Sequence, residues 1–187
     1  MSVLPIVTYD DEVLRKEAQP IEENSEELQT LIEDMFDTMY NSDGVGLAAP
    51  QIGKLLRIFV ADADAMYEED PEYGPLAMIN PEITFQGDQE IDMDEGCLSI
   101  PGVNATVRRP EKIVVKYRDK NFEEQELEVD GWWARVIQHE ADHLDGILFL
   151  DYLSMFKRKL LSSKLKEIAE GRKEIEYPIV SKKAQAK

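Results

Sequence analysis

The sequence predicts an α+β fold, in which antiparallel strands pack around a central helix and are flanked by an N-terminal amphipathic helix and a C-terminal helix. Two observations lead to this prediction. Apolar residues recur at helical spacing near the N-terminus and again in the last third of the chain, and short apolar segments separated by turn-forming residues fill the middle. With 187 residues, 43% of them hydrophobic, the chain is long enough to bury the core of one domain.

The first helix is predicted between Asn24 and Tyr40. Its apolar residues lie three or four positions apart and therefore share one face: Leu28, Leu31, Ile32, Met35, Phe36 and Met39. The segment starts with Asn24-x-x-Glu27, a spacing that resembles a capping box, in which side chains satisfy the free backbone N–H groups of a helix start. We therefore expect an amphipathic helix on the surface.

Five short segments in the middle of the chain are typical of strands, because they are rich in apolar residues and end at Pro, Gly, Asn or Asp. They span residues 55–61, 76–80, 82–85, 112–118 and 122–129. Residues 119–121 separate the last two segments, which predicts a hairpin turn.

A second helix is predicted to start near Asp130, a good N-cap residue, and to end at Gly146. Its inward-facing apolar residues would be Trp132, Trp133, Val136 and Ile137. A third helix begins after Ser154 and ends at Gly171, a natural C-terminal stop. It carries Leu160, Leu161, Leu165 and Ile168, which we expect to pack one face of this helix against the body of the protein. These elements predict one domain over residues 1–171, which includes the C-terminal helix, and leave residues 172–187 as a basic, flexible tail.

The charge of the chain limits its partners. A formal net charge of −18 argues against non-specific nucleic-acid binding by the whole surface, because phosphate backbones bind clustered Lys and Arg. Residues 157–187 differ, since ten basic and four acidic residues give them a net charge of +6 and leave −24 for residues 1–156. Such a segment is either a solvated, frayed helix end or a docking arm for an anionic partner.

Several features predict a cytoplasmic protein without membrane association. Residues 1–11 have neither the basic start nor the long apolar run of a targeting peptide. No segment approaches the roughly 18 apolar residues that a membrane helix needs. Cys97 is the single cysteine and cannot form an internal disulfide, which suits a reducing compartment.

The clearest chemical signal is the segment His139-Glu140-Ala141-Asp142-His143. Two histidines four positions apart share one face of a helix and can bind one metal ion, while Glu140 can reach water bound to that ion. A five-residue match also arises by chance on a solvated helix, but His139 and His143 are the only histidines in the protein. We therefore predict that the central helix binds a metal.

A catalytic metal site of this kind needs a third protein ligand, and the residues alone leave its identity open. In a zinc endopeptidase the third ligand lies downstream. The position of a third histidine in the extended motif is Phe149, which cannot bind metal, whereas Glu167 or Glu170 could. The other candidate is Cys97, within residues 95–99 (EGCLS), although a lone cysteine is commonly just a small buried apolar residue.

A third unusual segment is residues 44–51, with the sequence GVGLAAPQ. It consists of small residues followed by an amide side chain, and it lacks the lysine of a phosphate-binding loop. Taken alone it predicts only a Gly-rich turn after the first helix.

Residues 44–51, 95–99 and 138–144 together resemble the three signature motifs of bacterial peptide deformylases, in the same order. The likeness extends from residues 3–6 (VLPI) to about Tyr152, and the helix after Ser154 is similar to that of the bacterial type with a C-terminal helix. The resemblance implies a metal-dependent hydrolase of protein biosynthesis. Such an enzyme removes the N-formyl group from the N-terminal formylmethionine of nascent polypeptides and releases formate.

The resemblance also assigns the metal centre and the catalytic groups. Cys97, His139 and His143 would hold one divalent metal ion, natively Fe²⁺, with Zn²⁺, Ni²⁺ or Co²⁺ able to substitute. Glu140 would accept the proton of the attacking water and deliver it to the departing amine. The oxyanion would receive hydrogen bonds from the side-chain amide of Gln51 and the backbone N–H of Leu98. The corresponding list of catalytic residues is Glu140, Gln51 and Leu98.

The resemblance identifies the substrate-binding residues less directly than the metal ligands. Val45, Trp132 and Val136 are candidates for the apolar pocket of the methionine side chain. Val45, Gly46 and Gly96 would offer main-chain groups to an extended peptide. One of the two neighbouring tryptophans, Trp132 and Trp133, is expected to pack in the core instead.

Two other functions remain open on the sequence: a zinc endopeptidase, and a deformylase-like module that binds nascent chains or ribosomes without turnover. Intact Glu140, Gln51 and Gly46 favour an active enzyme. The ribosome is also a candidate partner of an active enzyme, because a basic element would help an acidic body to approach ribosomal RNA. That element would comprise Lys157, Arg158, Lys159, Lys164 and Lys166.

Overall fold

The computed structural model describes residues 2–67 and 72–181. These residues form three α-helices, and their strands form three sheets. The helices are α1 (Glu26–Asn41), α2 (Gly131–Leu144) and α3 (Met155–Ala169). The strands are β1 (Ile6–Val7), β2 (Gly46–Ala48), β3 (Ile58–Ala61), β4 (Leu76–Gln86), β5 (Glu90–Gly96), β6 (Asn104–Pro110), β7 (Lys112–Arg118), β8 (Glu124–Asp130) and β9 (Ile179–Val180).

The central sheet lies between α1 and α2. Its five strands are antiparallel, in the order β2-β3-β4-β7-β8. Side chains alternate along β3, so that Ile58 and Val60 join the apolar cluster of α1, whereas Phe59 and Ala61 join the cluster of α2. All four are fully buried, because helices cover both faces of the sheet there. The predicted α+β class, with α2 as the central helix, is confirmed.

The N-terminal helix α1 is amphipathic, as predicted, but begins one residue later than the capping box suggests. Ser25 is the N-cap residue, and its side chain accepts a hydrogen bond from the Leu28 N–H at 3.2 Å. The Asn24 side chain instead accepts a hydrogen bond from Gln29. Serine and asparagine are both good N-cap residues, so the sequence pattern did not distinguish these neighbours.

Strand β4 is continuous where the sequence predicted two segments separated by Pro81. Proline has no N–H to donate to a neighbouring strand, and the pairing of β4 with β7 changes register on passing this residue. Asn80 adopts a positive φ of 50°, and its side chain hydrogen-bonds to both backbone groups of Ile21, at 2.9 and 2.8 Å. The strand therefore continues through an irregularity that tertiary contacts stabilise.

Strands β5 and β6 form an antiparallel hairpin that the sequence did not predict. The acidic residues of β5 reduce its apparent strand character, but β6 supplies partners for them. Thr106 donates a hydrogen bond to Asp94 at 2.6 Å, and Arg108 forms an ion pair with Glu90 at 3.1 Å. The end of β5 leads directly into Cys97.

The C-terminal helix α3 packs on the body mainly through the buried Ile168 and the partly buried Leu161 and Leu165. Leu160, expected on the same face, is 67% exposed, so that expectation was wrong. No helix among the described residues is long and apolar enough to cross a membrane.

The segment after α3 returns to the body instead of leaving it. Strand β9 pairs in parallel with β1, Ile6 opposite Ile179 and Val7 opposite Val180. The sequence predicted that the folded domain ends at residue 171 and that a flexible tail follows. This prediction is corrected for residues 172–181, which pack on the body. Residues 182–187, the Lys-rich end of the predicted tail, lie outside the described part of the chain.

Candidate metal centre and active site

Helix α2 carries the two histidines on its buried face. His139 and His143 lie one turn apart, and their ring centroids are 5.1 Å from each other. The exposed fractions are 8% for His139 and 1% for His143, so neither ring belongs to a solvated helix face. A chance occurrence of the motif on the surface of the protein is therefore excluded.

Cys97 completes a group of three ligand atoms. It follows β5, and its Sγ lies 3.3 Å from Nε2 of His143. One ligand atom from each of Cys97, His139 and His143 lies within 4.8 Å of the other two, close enough for all three to bind one ion. Glu167 and Glu170 are not part of this group. The structure therefore does not support the zinc-endopeptidase alternative, in which a downstream glutamate is the third ligand.

Glu95 orients the imidazole ring of His139. Its carboxylate accepts a hydrogen bond from Nδ1 of His139 at 2.9 Å, which leaves Nε2 as the nitrogen available to a metal. Burial opposes ionisation of this carboxylate, but hydrogen bonds from His139 and Arg109 hold its pKa well below the usual range. Burial lowers the pKa of His139, but its hydrogen bonds with Cys97 and Glu95 raise that pKa well above the usual value, so the imidazole is basic and suited to bind a metal.

Two buried arginines complete this network. Arg109 donates to both oxygens of Glu95, at 2.6 and 3.0 Å, and to Asp142 at 2.7 Å. Arg135 donates to Glu95 at 2.8 Å and to the backbone carbonyl of Val107. Both arginines are only 3% exposed, and their partners compensate for the cost of burying the charges.

The sequence did not predict this network of Glu95, Arg109 and Arg135. Glu95 was visible in the motif that contains Cys97, and its position two residues before the thiol was the available signal. Arg109 and Arg135 gave no local signal, because their ion pairs join residues that are 14 and 40 positions apart in the chain.

Glu140 points into the site and is 4% exposed. Its Oε2 has no hydrogen-bond partner among the described residues. Burial raises the pKa of this carboxyl to about 7, against the attraction of the neighbouring His139, while a cation bound beside it would lower that pKa again. An unpartnered buried carboxylate beside three metal-ligand atoms is suited to accept a proton from water.

Gly46 is required by the position of Glu140. A β-carbon on Gly46 would lie 2.8 Å from Cδ of Glu140 and closer still to one of its oxygens. With Glu140 in this position, strand β2 can approach helix α2 this closely only with glycine at residue 46.

The amide of Gln51 is fixed in orientation at the edge of the metal centre. Its Oε1 accepts a hydrogen bond from the Ala48 N–H at 2.8 Å, so its NH₂ group faces the site. That group lies 3.4 Å from Cys97 Sγ and 3.4 Å from Ser99 Oγ. Gln51 sits in a short 3₁₀ helix, Ala49–Ile52, where the sequence predicted only a Gly-rich turn.

A cleft of about 440 Å³ opens onto these groups. His143 is buried and does not line the cleft, but all the other predicted site residues do: Val45, Gly46, Gln51, Gly96, Cys97, Leu98, Trp132, Val136, His139 and Glu140. Met66 and Tyr177 line it as well and were not predicted. Trp133 is 1% exposed and donates to Asp64 at 2.7 Å, so it is the core tryptophan of the pair.

Comparisons with known proteins agree on one family. The family model of polypeptide deformylase matches residues 3–159. The peptide deformylase of Salinibacter ruber is 50% identical, over 96% of this chain and 95% of the relative. The crystal structure of a peptide deformylase from Legionella pneumophila is 44% identical, with a TM-score of 0.82 over 92% of this chain and all of that chain.

A third relative is the peptide deformylase of Ehrlichia chaffeensis, solved in complex with actinonin. It is 39% identical, with a TM-score of 0.84 over 93% of this chain and all of that chain. The residues matched by the family model include the central sheet, helix α2 and the three motif segments that meet at the cleft. The chain therefore belongs to the peptide deformylase family, the metal-dependent enzymes that remove the formyl group from formylmethionyl peptides.

Proposed function

We propose that Cys97, His139 and His143 hold one divalent metal ion and that Glu140 transfers the proton during hydrolysis of the formyl amide. The observation that carries this proposal is the buried carboxylate of Glu140, which has an unpartnered oxygen beside the three ligand atoms. A thiolate and two imidazoles, one of them oriented by Glu95, form a donor set suited to divalent transition metals.

A metal ion held by Cys97, His139 and His143 would lower the pKa of water and would polarise the formyl carbonyl. Glu140 accepts the proton of the attacking water and then delivers it to the methionine nitrogen as the carbon–nitrogen bond breaks. Gly46 leaves room for the carboxylate to serve both positions, since no side chain competes for that space. Formate and a free N-terminal methionine are the products.

The negative charge that develops on the formyl oxygen needs donors that are already in place. We assign these to the NH₂ group of Gln51, oriented by Ala48, and to the backbone N–H of Leu98. Val45, Trp132 and Val136 then form the apolar wall for the methionine side chain. The backbones of Val45, Gly46 and Gly96 lie along the cleft, where an extended peptide can pair with them.

The direct test is release of formate from formyl-Met-Ala-Ser by anaerobically purified protein, with acetyl-Met-Ala-Ser as the matched control. We expect turnover of the formyl peptide and little of the acetyl peptide, because the extra methyl group must fit beside the metal ligands. A metal-loaded protein that binds the formyl peptide without releasing formate would instead indicate a silent binding module.

We further propose that the native metal is Fe²⁺ and that the enzyme works in the cytoplasm, where a metal-bound thiol is protected from oxidation. Activity of the iron form should therefore decay in air, whereas the nickel or zinc form should be stable, because Fe²⁺ held by a thiolate is open to oxidation and zinc has no redox chemistry. Metal analysis and activity after timed exposure to air test this. Protein prepared anaerobically that contains only zinc and keeps full activity in air would contradict it.

The exposed face of α3 supports a role in ribosome docking. Its basic residues Lys157, Lys159, Lys164 and Lys166 are exposed. Three large apolar residues lie among them, Met155, Phe156 and Leu160, with exposed fractions of 89%, 70% and 67%. Basic and apolar side chains side by side are typical of a surface that binds a partner with phosphate groups and protein. We propose that this face binds the ribosome near the emerging nascent chain.

Reversing two of these charges, Lys157→Glu with Lys159→Glu, should weaken ribosome binding on the order of tenfold at low salt. The matched control is Lys54→Glu with Lys120→Glu, which changes the net charge equally at exposed positions away from α3. Co-sedimentation with ribosomes at two salt concentrations measures the effect. Equal, salt-insensitive binding by both double variants would exclude the docking role.

A further inference from the structure

The chain beyond α3 reaches the active site. After Gly171, which adopts a positive φ of 64°, the segment 172–181 runs back to the start of the chain. The Ile6 N–H donates to Pro178 O at 2.9 Å, and the Thr8 N–H donates to Val180 O at 3.2 Å. This return segment lies outside residues 3–159, which the family model matches, so the family comparison assigns no role to it.

The return segment donates one hydrogen bond to the loop that carries Cys97. This loop is a tight turn, closed by the Ile100 N–H donating to Cys97 O at 2.8 Å. The Ser99 carbonyl accepts from the Tyr9 N–H at 2.9 Å. The Leu98 carbonyl, which lies between those of Cys97 and Ser99, accepts from the Tyr177 hydroxyl at 2.7 Å. One hydrogen bond within the turn and two contacts from distant parts of the chain thus fix the backbone of the turn.

Tyr177 also forms part of the substrate cleft. It lines the cavity together with Leu98, and both side chains pack against the apolar cluster of α1. Burial, and then the nearby Cys97 thiolate, raises the pKa of the Tyr177 hydroxyl. The hydroxyl therefore stays protonated and remains a hydrogen-bond donor to the Leu98 carbonyl.

We propose that Tyr177 is a positioning residue for deformylation. Its hydroxyl holds the Cys97–Ile100 turn so that the Leu98 N–H points at the reacting oxygen, and its ring closes one side of the substrate cleft. This inference rests on the proposed role of Leu98 as an oxyanion donor. The Leu98 N–H shares a rigid peptide plane with the Cys97 carbonyl, which the Ile100 N–H holds, and the next plane carries the Leu98 carbonyl, which Tyr177 holds. With both planes held, the Tyr177 contact restrains the direction of the Leu98 N–H. This restraint stabilises the transition state of the reaction, because the oxyanion that accepts the Leu98 hydrogen bond forms there.

Two substitutions separate the hydroxyl from the ring. Tyr177→Phe removes the hydrogen bond and keeps the ring, and it should lower kcat about three- to tenfold with KM nearly unchanged, the size expected for one hydrogen bond. Tyr177→Ala removes both, and it should raise KM as well. Phenylalanine should therefore restore KM but not kcat relative to alanine.

The matched control is Tyr9→Phe. The Tyr9 hydroxyl also donates to a backbone carbonyl, that of Leu165 at 3.1 Å, but on α3 and away from the cleft. The backbone bond from Tyr9 to Ser99 does not involve the side chain and remains. Both phenylalanine variants should lose a similar few degrees in Tm, and only Tyr177→Phe should lose kcat.

Hydrogen exchange gives a readout that needs no turnover. The amides of residues 98–100 should exchange faster in Tyr177→Phe than in the wild type or in Tyr9→Phe, because the turn opens more readily. Wild-type kcat, or equal losses of kcat in the two variants, would overturn the proposal, as would unchanged exchange of these amides. An inactive wild-type enzyme with faster exchange in Tyr177→Phe would refute the catalytic assignment and leave the structural contact intact.

Discussion

Replacing Glu140 by Gln should lower kcat by about a thousandfold while the metal content stays near that of the wild type. Glutamine keeps the size of the side chain against Gly46, and it cannot accept a proton from water. The three ligand atoms of Cys97, His139 and His143 are untouched, so the metal remains. Folding should not suffer, because the substitution removes a buried carboxyl whose Oε2 has no partner among the described residues.

Formate release, metal analysis and Tm together measure this effect. Glu82→Gln, the same substitution at an exposed position of β4, is the control and should behave as the wild type. If Glu140→Gln hydrolyses the formyl peptide at a rate close to that of the wild type, the assigned proton carrier is wrong. If it loses both metal and activity, Glu140 holds the metal centre together instead of transferring a proton.

Replacing Cys97 by Ala should remove the metal itself, and activity with it. The thiolate is the anionic member of the group, and its Sγ lies 3.3 Å from the ligand nitrogen of His143. Two neutral imidazoles alone bind a divalent ion far more weakly, so we expect metal content after dialysis to fall more than about tenfold. Glu140→Gln is the informative comparison, because both variants are inactive and only Cys97→Ala should lack metal.

This second experiment also distinguishes the metal site from that of an endopeptidase. In a site completed by Glu167 or Glu170, the loss of Cys97 would leave three ligands, and the metal would remain. Full metal content in Cys97→Ala would therefore contradict the assigned ligand set. Proteolysis of an unformylated peptide by the variant would point to the endopeptidase reaction.

Several fold features were predictable because their signals are local. The spacing of Leu28, Ile32 and Met35 predicted α1, and the glycines at 146 and 171 predicted the ends of α2 and α3. Where the prediction was wrong, a distant partner decided the outcome. β5 is a strand because β6 pairs with its acidic residues, and β4 continues past Pro81 because Asn80 is held by Ile21.

The candidate site, like the fold, combines features that local sequence patterns predict with features that depend on distant contacts. The sequence by itself determined which residues we propose to carry the chemistry, because two histidines four positions apart must share a helix face, and the motifs that contain Gln51 and Cys97 are continuous in the chain. Only the tertiary structure decided what supports them. Arg109 and Arg135 meet Glu95 behind His139, and Tyr177 reaches Leu98 across 79 positions, through contacts that no local pattern encodes. Periodicity reports on one element at a time, whereas the environment that orients a ligand or an oxyanion donor is built by elements that meet only in the folded chain.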